Sequence, residues 1–350
     1  MQGGPALIHT HVGRRDLAVQ DERLDARTLA RFFLNRFETR CERGADIARL
    51  LRFPDETVQA IRTIDEHWDG HGQPYALKAD ATPLLGRIVG LAQTLEVYFS
   101  TYGVGTAYDM ALARRGRWFD PSLVDALRTI RTDDVFWKEL QFGDELRQLA
   151  LVEPADSVVS VDEEYVDVVA EAFARVIDAK SPWTYQHSNG VAEIAAAISA
   201  NLGFDAGSIR EIRRAALLHD LGKLAVSNLI LDKPGRLTDN EMAIVKRHPE
   251  HTQQILQRVG CFRHLADMAA SHHERLDGKG YHRGITMGAL GTPARILCAA
   301  DICDALRATR PYRPGLSSDR ILEIMGREVG SAIDADCFEA LREVLLDSSA

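Results

Sequence analysis

Residues 64–74, IDEHWDGHGQP, and residues 272–282, HHERLDGKGYH, are related by a shift of 208 positions that carries Glu66 onto Glu274, Asp69 onto Asp277, Gly70 onto Gly278 and Gly72 onto Gly280. The same shift carries Glu42 onto Glu250, Ile47 onto Ile255 and Arg87-Ile88 onto Arg295-Ile296 without a gap. One register held that long is the mark of an internal repeat, so the chain reads as two versions of one fold. Its 350 residues, 45% of them hydrophobic, are enough for two cores of domain size.

The second version shows what that fold is. VDEEYVDVVAEAFARVID spaces Val166, Val169, Phe173 and Val176 by three and four residues, the period of an amphipathic helix. A further helix is expected from about His187 to Leu202. SIREIRRAALLHD, apolar at Ile209, Ile212, Ala216 and Leu217, makes another and ends against Gly222. Pro234-Gly235 turns the chain, and Thr238 with Glu241 has the spacing of a capping box. Thr292 and Pro293 read as cap and first residue of PARILCAADICDALRA. No strand-like alternation competes. The expected fold is all-α, two helical-bundle domains in tandem: residues 1–135, a connecting helix and linker over 136–160, and a catalytic domain over 161–350.

Onto these helices fall His187, His219, Asp220, His248, His272, His273 and Asp301. Asp301 sits among Leu297, Cys298, Ala299, Ala300 and Ile302, where a carboxylate needs a cation or several donors. Five imidazoles and two carboxylates without a thiolate suit iron, manganese or zinc, and seven ligands exceed one ion's needs. Neighbours in a helix point about 100° apart, so His219 with Asp220, or His272 with His273, reach two ions more readily than one. A carboxylate such as Asp220 can bridge such a pair, and water held between two metals becomes a hydroxide nucleophile suited to phosphoester hydrolysis. The cysteines Cys41, Cys261, Cys298, Cys303 and Cys337 are scattered, odd in number and without a CxxC pair, which argues against a disulfide frame or a thiolate zinc site.

HDLGK (219–223), KRHPEHT (246–252), HHERLDGKGY (272–281), AADICDAL (299–306) and RPYR (310–313), in that order, resemble the HD-GYP phosphodiesterases, a branch of the HD metal-dependent phosphohydrolases that hydrolyses cyclic dinucleotide messengers. The resemblance implies that His187, His219, Asp220, His248, His272, His273 and Asp301 bind two divalent ions, iron or manganese foremost, with Asp220 bridging. It implies that Lys223 contacts the scissile phosphate and that Tyr281, Arg310 and Arg313 hold substrate. Asp277, Gly278 and Gly280 give a backbone free to approach a ligand closely. The family motif ends in proline where this chain has His282, a change that frees a backbone donor and removes no ligand. Some members carry a glutamate that recruits a third metal; Trp183 stands there, so two metals are expected.

The implied reaction is linearisation of cyclic di-GMP to pGpG, and onward to GMP, with 3′3′-cyclic GMP-AMP the alternative substrate and a catalytically silent nucleotide- or partner-binding protein the alternative from another class. In the first half the ligand positions are lost: Ile64 and Asp65 stand for His272 and His273, Arg40 for His248 and Gln93 for Asp301. That half is left to buttress its partner, gate the site, bind a ligand, meet a signalling protein or form a homodimer. His9 and His11 align poorly and take no role. A net charge of −9 gives no field for DNA or RNA. No apolar run approaches the length of a membrane span, and the first residues lack the layout of a secretory signal, so a cytoplasmic location is expected.

Overall fold

The computed structural model of the protein describes residues 39–143, 161–180, 186–309 and 314–347. The chain divides into two compact units, Met1–Val158 and Val159–Ala350. Regular structure among the described residues is helical, with isolated bridges such as Asp69 to Lys78 in place of strands. None of the described helices is long and apolar enough to cross a membrane.

In the first unit, helical residues 39–50 and the helices Asp55–Arg62, Leu84–Ala113, Pro121–Ala126 and Asp134–Phe142 follow in order. Leu84–Ala113 is interrupted at Gly103, whose φ of 82° glycine adopts without strain. Leu91, Phe99, Met110, Phe119 and Val124 form the core, and Trp137 completes it. The domain boundary drawn at residue 135 therefore falls inside an element. Asp134–Phe142 buries Trp137 against Phe99, with ring centroids 4.8 Å apart, and so belongs to the first unit's packing.

In the second unit the helix His187–Asn201 lies at the centre, packed by Ala206–Leu218, Thr292–Arg307 and Ala335–Asp347. Apart from His187, its buried residues are small or β-branched, including Gly190, Val191, Ala192, Ile194 and Ala195, which lets neighbours approach on several sides. Ile177, Ile198, Leu217, Phe262, Leu265 and Leu297 fill the core around it. On Glu163–Lys180 the buried stripe runs through Val166, Ala170, Ala174 and Ile177, while Val169 and Phe173 pack at its margin. Apolar size misleads here, because the closest helix contacts go to alanines. The capping box at Thr238 and Glu241 forms as expected. The helix Thr292–Arg307 starts one residue early, with Gly291 as cap and Thr292 inside, since proline is tolerated throughout a first turn that needs no N–H.

Candidate metal centre

Five segments bring the seven residues together. His187 is the first residue of its helix, anchored by Ser188, whose hydroxyl donates to buried Asp178 at 2.7 Å. His219 closes Ala206–Leu218 and Asp220 opens the tight turn Leu221–Ala225. His248 begins His248–Arg258, His272 and His273 follow Ala266–Ala269, and Asp301 lies within Thr292–Arg307. Gly222 permits the close meeting of turn and helix: a Cβ there would lie 1.9 Å from the His248 carbonyl oxygen. Thr252 locks the same junction, accepting from Gly222 N–H at 2.9 Å and donating to the His219 carbonyl at 2.8 Å.

Backbone carbonyls orient three of the imidazoles. His219 Nδ1 donates to Ala216 O at 2.7 Å, His248 Nδ1 to Val245 O at 2.8 Å and His272 Nδ1 to Ala269 O at 2.6 Å. Each spends its Nδ1 proton on a carbonyl three residues back, leaving Nε2 to face the cluster, as imidazole ligands are commonly held. His187 instead donates Nδ1–H to Asp304 Oδ2 at 2.7 Å. The sequence reading missed Asp304; its signal is the three-residue spacing from Asp301, which puts both carboxylates on one helix face. Gly190 makes room for it, since a Cβ there would lie 2.2 Å from Asp304 Oδ1.

The Nε2 atoms converge on two carboxylates. Asp220 Oδ2 lies 3.3 Å from His219 Nε2 and 3.7 Å from His187 Nε2, while Oδ1 lies 3.2 Å from His248 Nε2 and 3.8 Å from His272 Nε2. Each oxygen thus faces its own histidine pair. Asp301 Oδ1 is 3.2 Å from His187 Nε2 and Oδ2 is 3.8 Å from His273 Nδ1. Groups able to hold an ion are His187 with His219 and Asp301, His248 with His272 and His273, and His219 with Asp220 and His272. Among the described residues, buried His219 Nε2 and Asp220 Oδ1 have no hydrogen-bond partner. Orphaned polar atoms are costly in a protein interior, and a cation beside each would satisfy it. The donor set fits divalent metal.

Charge points the same way. Burial opposes a proton on His187, but hydrogen bonds to Asp301 and Asp304 overcome it and raise the imidazole to about 10. Burial also opposes ionisation of Asp220, yet His219 and Lys223 hold its carboxyl well below the ordinary range. His272 and His273 are pushed down by burial, His273 to about 3, so these rings stay neutral, the form a metal requires. One side of the cluster draws positive charge while the other offers bare nitrogen.

Around this centre, Lys223 Nζ lies 2.5 Å from Asp220 Oδ2. Tyr281 stacks at a tilt on His273 with centroids 4.5 Å apart, and burial raises its phenol above the usual range, so it remains a proton donor. Its loop is fastened by Glu274, fully buried and unpredicted, which accepts from the N–H groups of Arg283 at 2.7 Å and Ile285 at 3.1 Å. Asp277 accepts from Arg275 and from Lys279 N–H, both at 3.0 Å, and Gly280 comes so near Glu274 that a Cβ would sit 2.6 Å from its Cα. Asp277, Gly278 and Gly280 thus help to build the loop. His282 has φ of 105°, which proline cannot adopt, and donates to Gln253 Oε1 at 3.1 Å. Arg310, Arg313 and Trp183 lie outside the described residues, as do His9 and His11.

The family model for the HD domain matches residues 24–123 and 171–337. The chain is 42% identical over 308 residues to the 3'3'-cGAMP-specific phosphodiesterase 3 of Vibrio cholerae serotype O1, covering 88% of this chain and 67% of that one. It is 35% identical over 175 residues to the cyclic di-GMP phosphodiesterase response regulator RpfG of Xanthomonas campestris pv. campestris, covering 48% of this chain and 45% of that one. Among solved structures, a cyclic GMP-AMP-specific phosphodiesterase of V. cholerae superposes with a TM-score of 0.62 at 39% identity, covering 90% of this chain and 73% of that one.

Proposed function

The chain belongs to the HD domain family, and from that premise we propose that it is a metal-dependent phosphodiesterase that opens a cyclic dinucleotide. The observation that carries this reading is the pair of oxygens on Asp220, each facing a different pair of imidazoles whose other nitrogens are occupied. His187, His219 and Asp301 would hold one ion, His248, His272 and His273 a second, with Asp220 shared between them. Divalent ions bound there supply positive charge against phosphoryl oxygens and acidify water. Iron or manganese suits this nitrogen and oxygen set better than a thiolate-seeking ion, since burial raises the Cys298 and Cys303 thiols to about 12 and about 11.

The protein's own groups supply the rest. Lys223 places an ammonium beside the bridging carboxylate, where it can meet a non-bridging phosphate oxygen and offset charge that grows in the transition state. Tyr281, a persistent phenol, offers a hydrogen bond and a ring face to the substrate. Burial of the cluster keeps competing water few.

Of the two substrates, 3′3′-cyclic GMP-AMP stands first. The relative matching 88% of the chain carries that specificity in its name, while the cyclic di-GMP relative aligns with 48% of it. The motifs alone placed cyclic di-GMP ahead. The test is a product assay on protein loaded anaerobically with iron(II) or with manganese, given both cyclic dinucleotides side by side, with metal content determined on the same sample. Faster linearisation of 3′3′-cyclic GMP-AMP is expected. Faster turnover of cyclic di-GMP reverses the order, and turnover of neither with two metals bound removes the proposed reaction.

A further inference from the structure

The clasp made by Glu274 has a twin in the first unit. Glu66 accepts from Tyr75 N–H at 2.7 Å and Leu77 N–H at 2.9 Å, the same nine- and eleven-residue offsets at which Glu274 holds Arg283 and Ile285. Asp69 and Asp277 each accept, at 3.0 Å, from the N–H two residues on, and Gly70 and Gly278 share positive φ of 82° and 73°. Arg87 pairs with Asp120 at 2.6 Å as Arg295 pairs with Asp334 at 3.0 Å. The bridge Arg115 to Phe119 repeats as Val329 to Ile333. A loop with this bonding frames the metal centre in the second unit; in the first it frames something else.

Ile64, Asp65 and Gln93, in the positions of His272, His273 and Asp301, all line a cavity of about 400 Å³. Among the described residues, no cluster able to hold a metal lies in this unit. The cavity wall is aromatic instead, with Trp68, Tyr98 and Trp118, and of its charged groups Asp65 is paired with Arg40, Asp120 with Arg87, and Glu66 is taken by the N–H groups of Tyr75 and Leu77, which leaves the Arg114 cation. Arg114 lies over the Trp118 ring, 4.5 Å from its centroid, and donates to the Tyr98 hydroxyl at 3.3 Å, but makes no ion pair with a carboxylate among the described residues. Thr82, 2% exposed, and Arg87 both line the cavity and bring two buried polar atoms, Thr82 Oγ1 and Arg87 Nε, that lack any hydrogen-bond partner among the described residues. Unsatisfied buried polar atoms beside a cavity of small-molecule size point to a ligand.

We propose that this cavity binds a planar heteroaromatic anion of the size of a nucleoside monophosphate. The aromatic walls take the ring, and Arg114 takes the anionic group as a charge-assisted donor. The inference stands apart from the reaction of the second unit, since no metal and no catalytic residue takes part in it.

The experiment is calorimetric titration of the metal-stripped full chain with guanosine and adenosine monophosphates, with guanosine and inorganic phosphate as probes of each half. Saturable binding of one nucleotide per chain is expected, weakened about tenfold or more by removing the charged partner in Arg114→Gln. Gln93→Trp, which adds bulk at the cavity wall, is expected to abolish it. Both variants should keep the wild-type circular dichroism and the wild-type metal content. No binding at millimolar nucleotide, binding unchanged by both variants, or phosphate alone binding as tightly as the nucleotides each overturns the proposal.

Discussion

Asp304 acts on the centre through His187. Its carboxylate accepts the Nδ1 proton at 2.7 Å and thereby directs Nε2 toward Asp301 and Asp220. Asp304→Asn keeps the volume and weakens that orientation, so metal occupancy is expected to fall about tenfold or more in affinity, as loss of such an outer partner does. Gly190→Ala should reproduce the defect from the opposite wall by pushing Asp304 away, since the new Cβ would lie 2.2 Å from Oδ1. Metal titration of both variants checks this; normal affinity in both makes Asp304 a bystander. At His282 the φ of 105° strains a residue with a side chain. His282→Gly is expected to stabilise the loop by about 1 kcal/mol, less the hydrogen bond to Gln253, whereas His282→Pro should disrupt it and lower activity. Thermal melts and turnover of the two variants decide; a harmless proline would mean that the loop adopts another backbone.

Elements carry what single residues cannot. Asp134–Phe142 contributes Trp137, whose indole N–H donates to Ile130 O at 2.8 Å while its ring packs on Phe99. Trp137→Ala is expected to destabilise the first unit by about 3–5 kcal/mol, the cost of emptying a large aromatic site. A loss below about 1 kcal/mol in a denaturant titration would return the helix to the role of a connector. Its place in the core could not be read from RTDDVFWKELQF, because one buried tryptophan leaves no period. The helices of the second unit were legible because their apolar residues recur every three or four positions, and the capping box at Thr238 because its partners are neighbours in sequence. The seven converging residues were legible as a set, since buried-type helices do not otherwise choose histidine and aspartate. Their supports were not: Asp304, Glu274, Thr252 and Gly190 act through contacts between elements, which the spacing within one element does not specify.

On the scale of the whole chain, the second unit encloses Asp220, Asp301, Asp304 and Asp178 with its histidines and Lys223, an arrangement in which negative charge needs a buried cation. Without metal, a proton on His187 supplies part of that charge, held by Asp301 and Asp304 against the cost of burial. A group whose pKa is raised by folding, here from 6.5 to about 10, contributes stability that is complete below pH 6.5 and is lost as pH rises through about 10. His273, lowered to about 3, acts in the opposite sense: the unfolded chain takes up its proton first, so stability is lost as pH falls from about 6.5 toward 3. The metal-stripped protein is therefore expected to be most stable near pH 6.5 and to lose melting temperature on both sides. A bound divalent ion supplies the positive charge without the proton and is itself bound only by the folded state. Metal at a hundredfold excess over its dissociation constant should raise stability by about 2.7 kcal/mol and flatten the alkaline limb of the profile. Melting curves from pH 5 to 10, with metal and with chelator, test both parts together. Identical profiles in the two conditions would mean that the cluster holds no ion, and the reaction proposed for it would lose its physical basis.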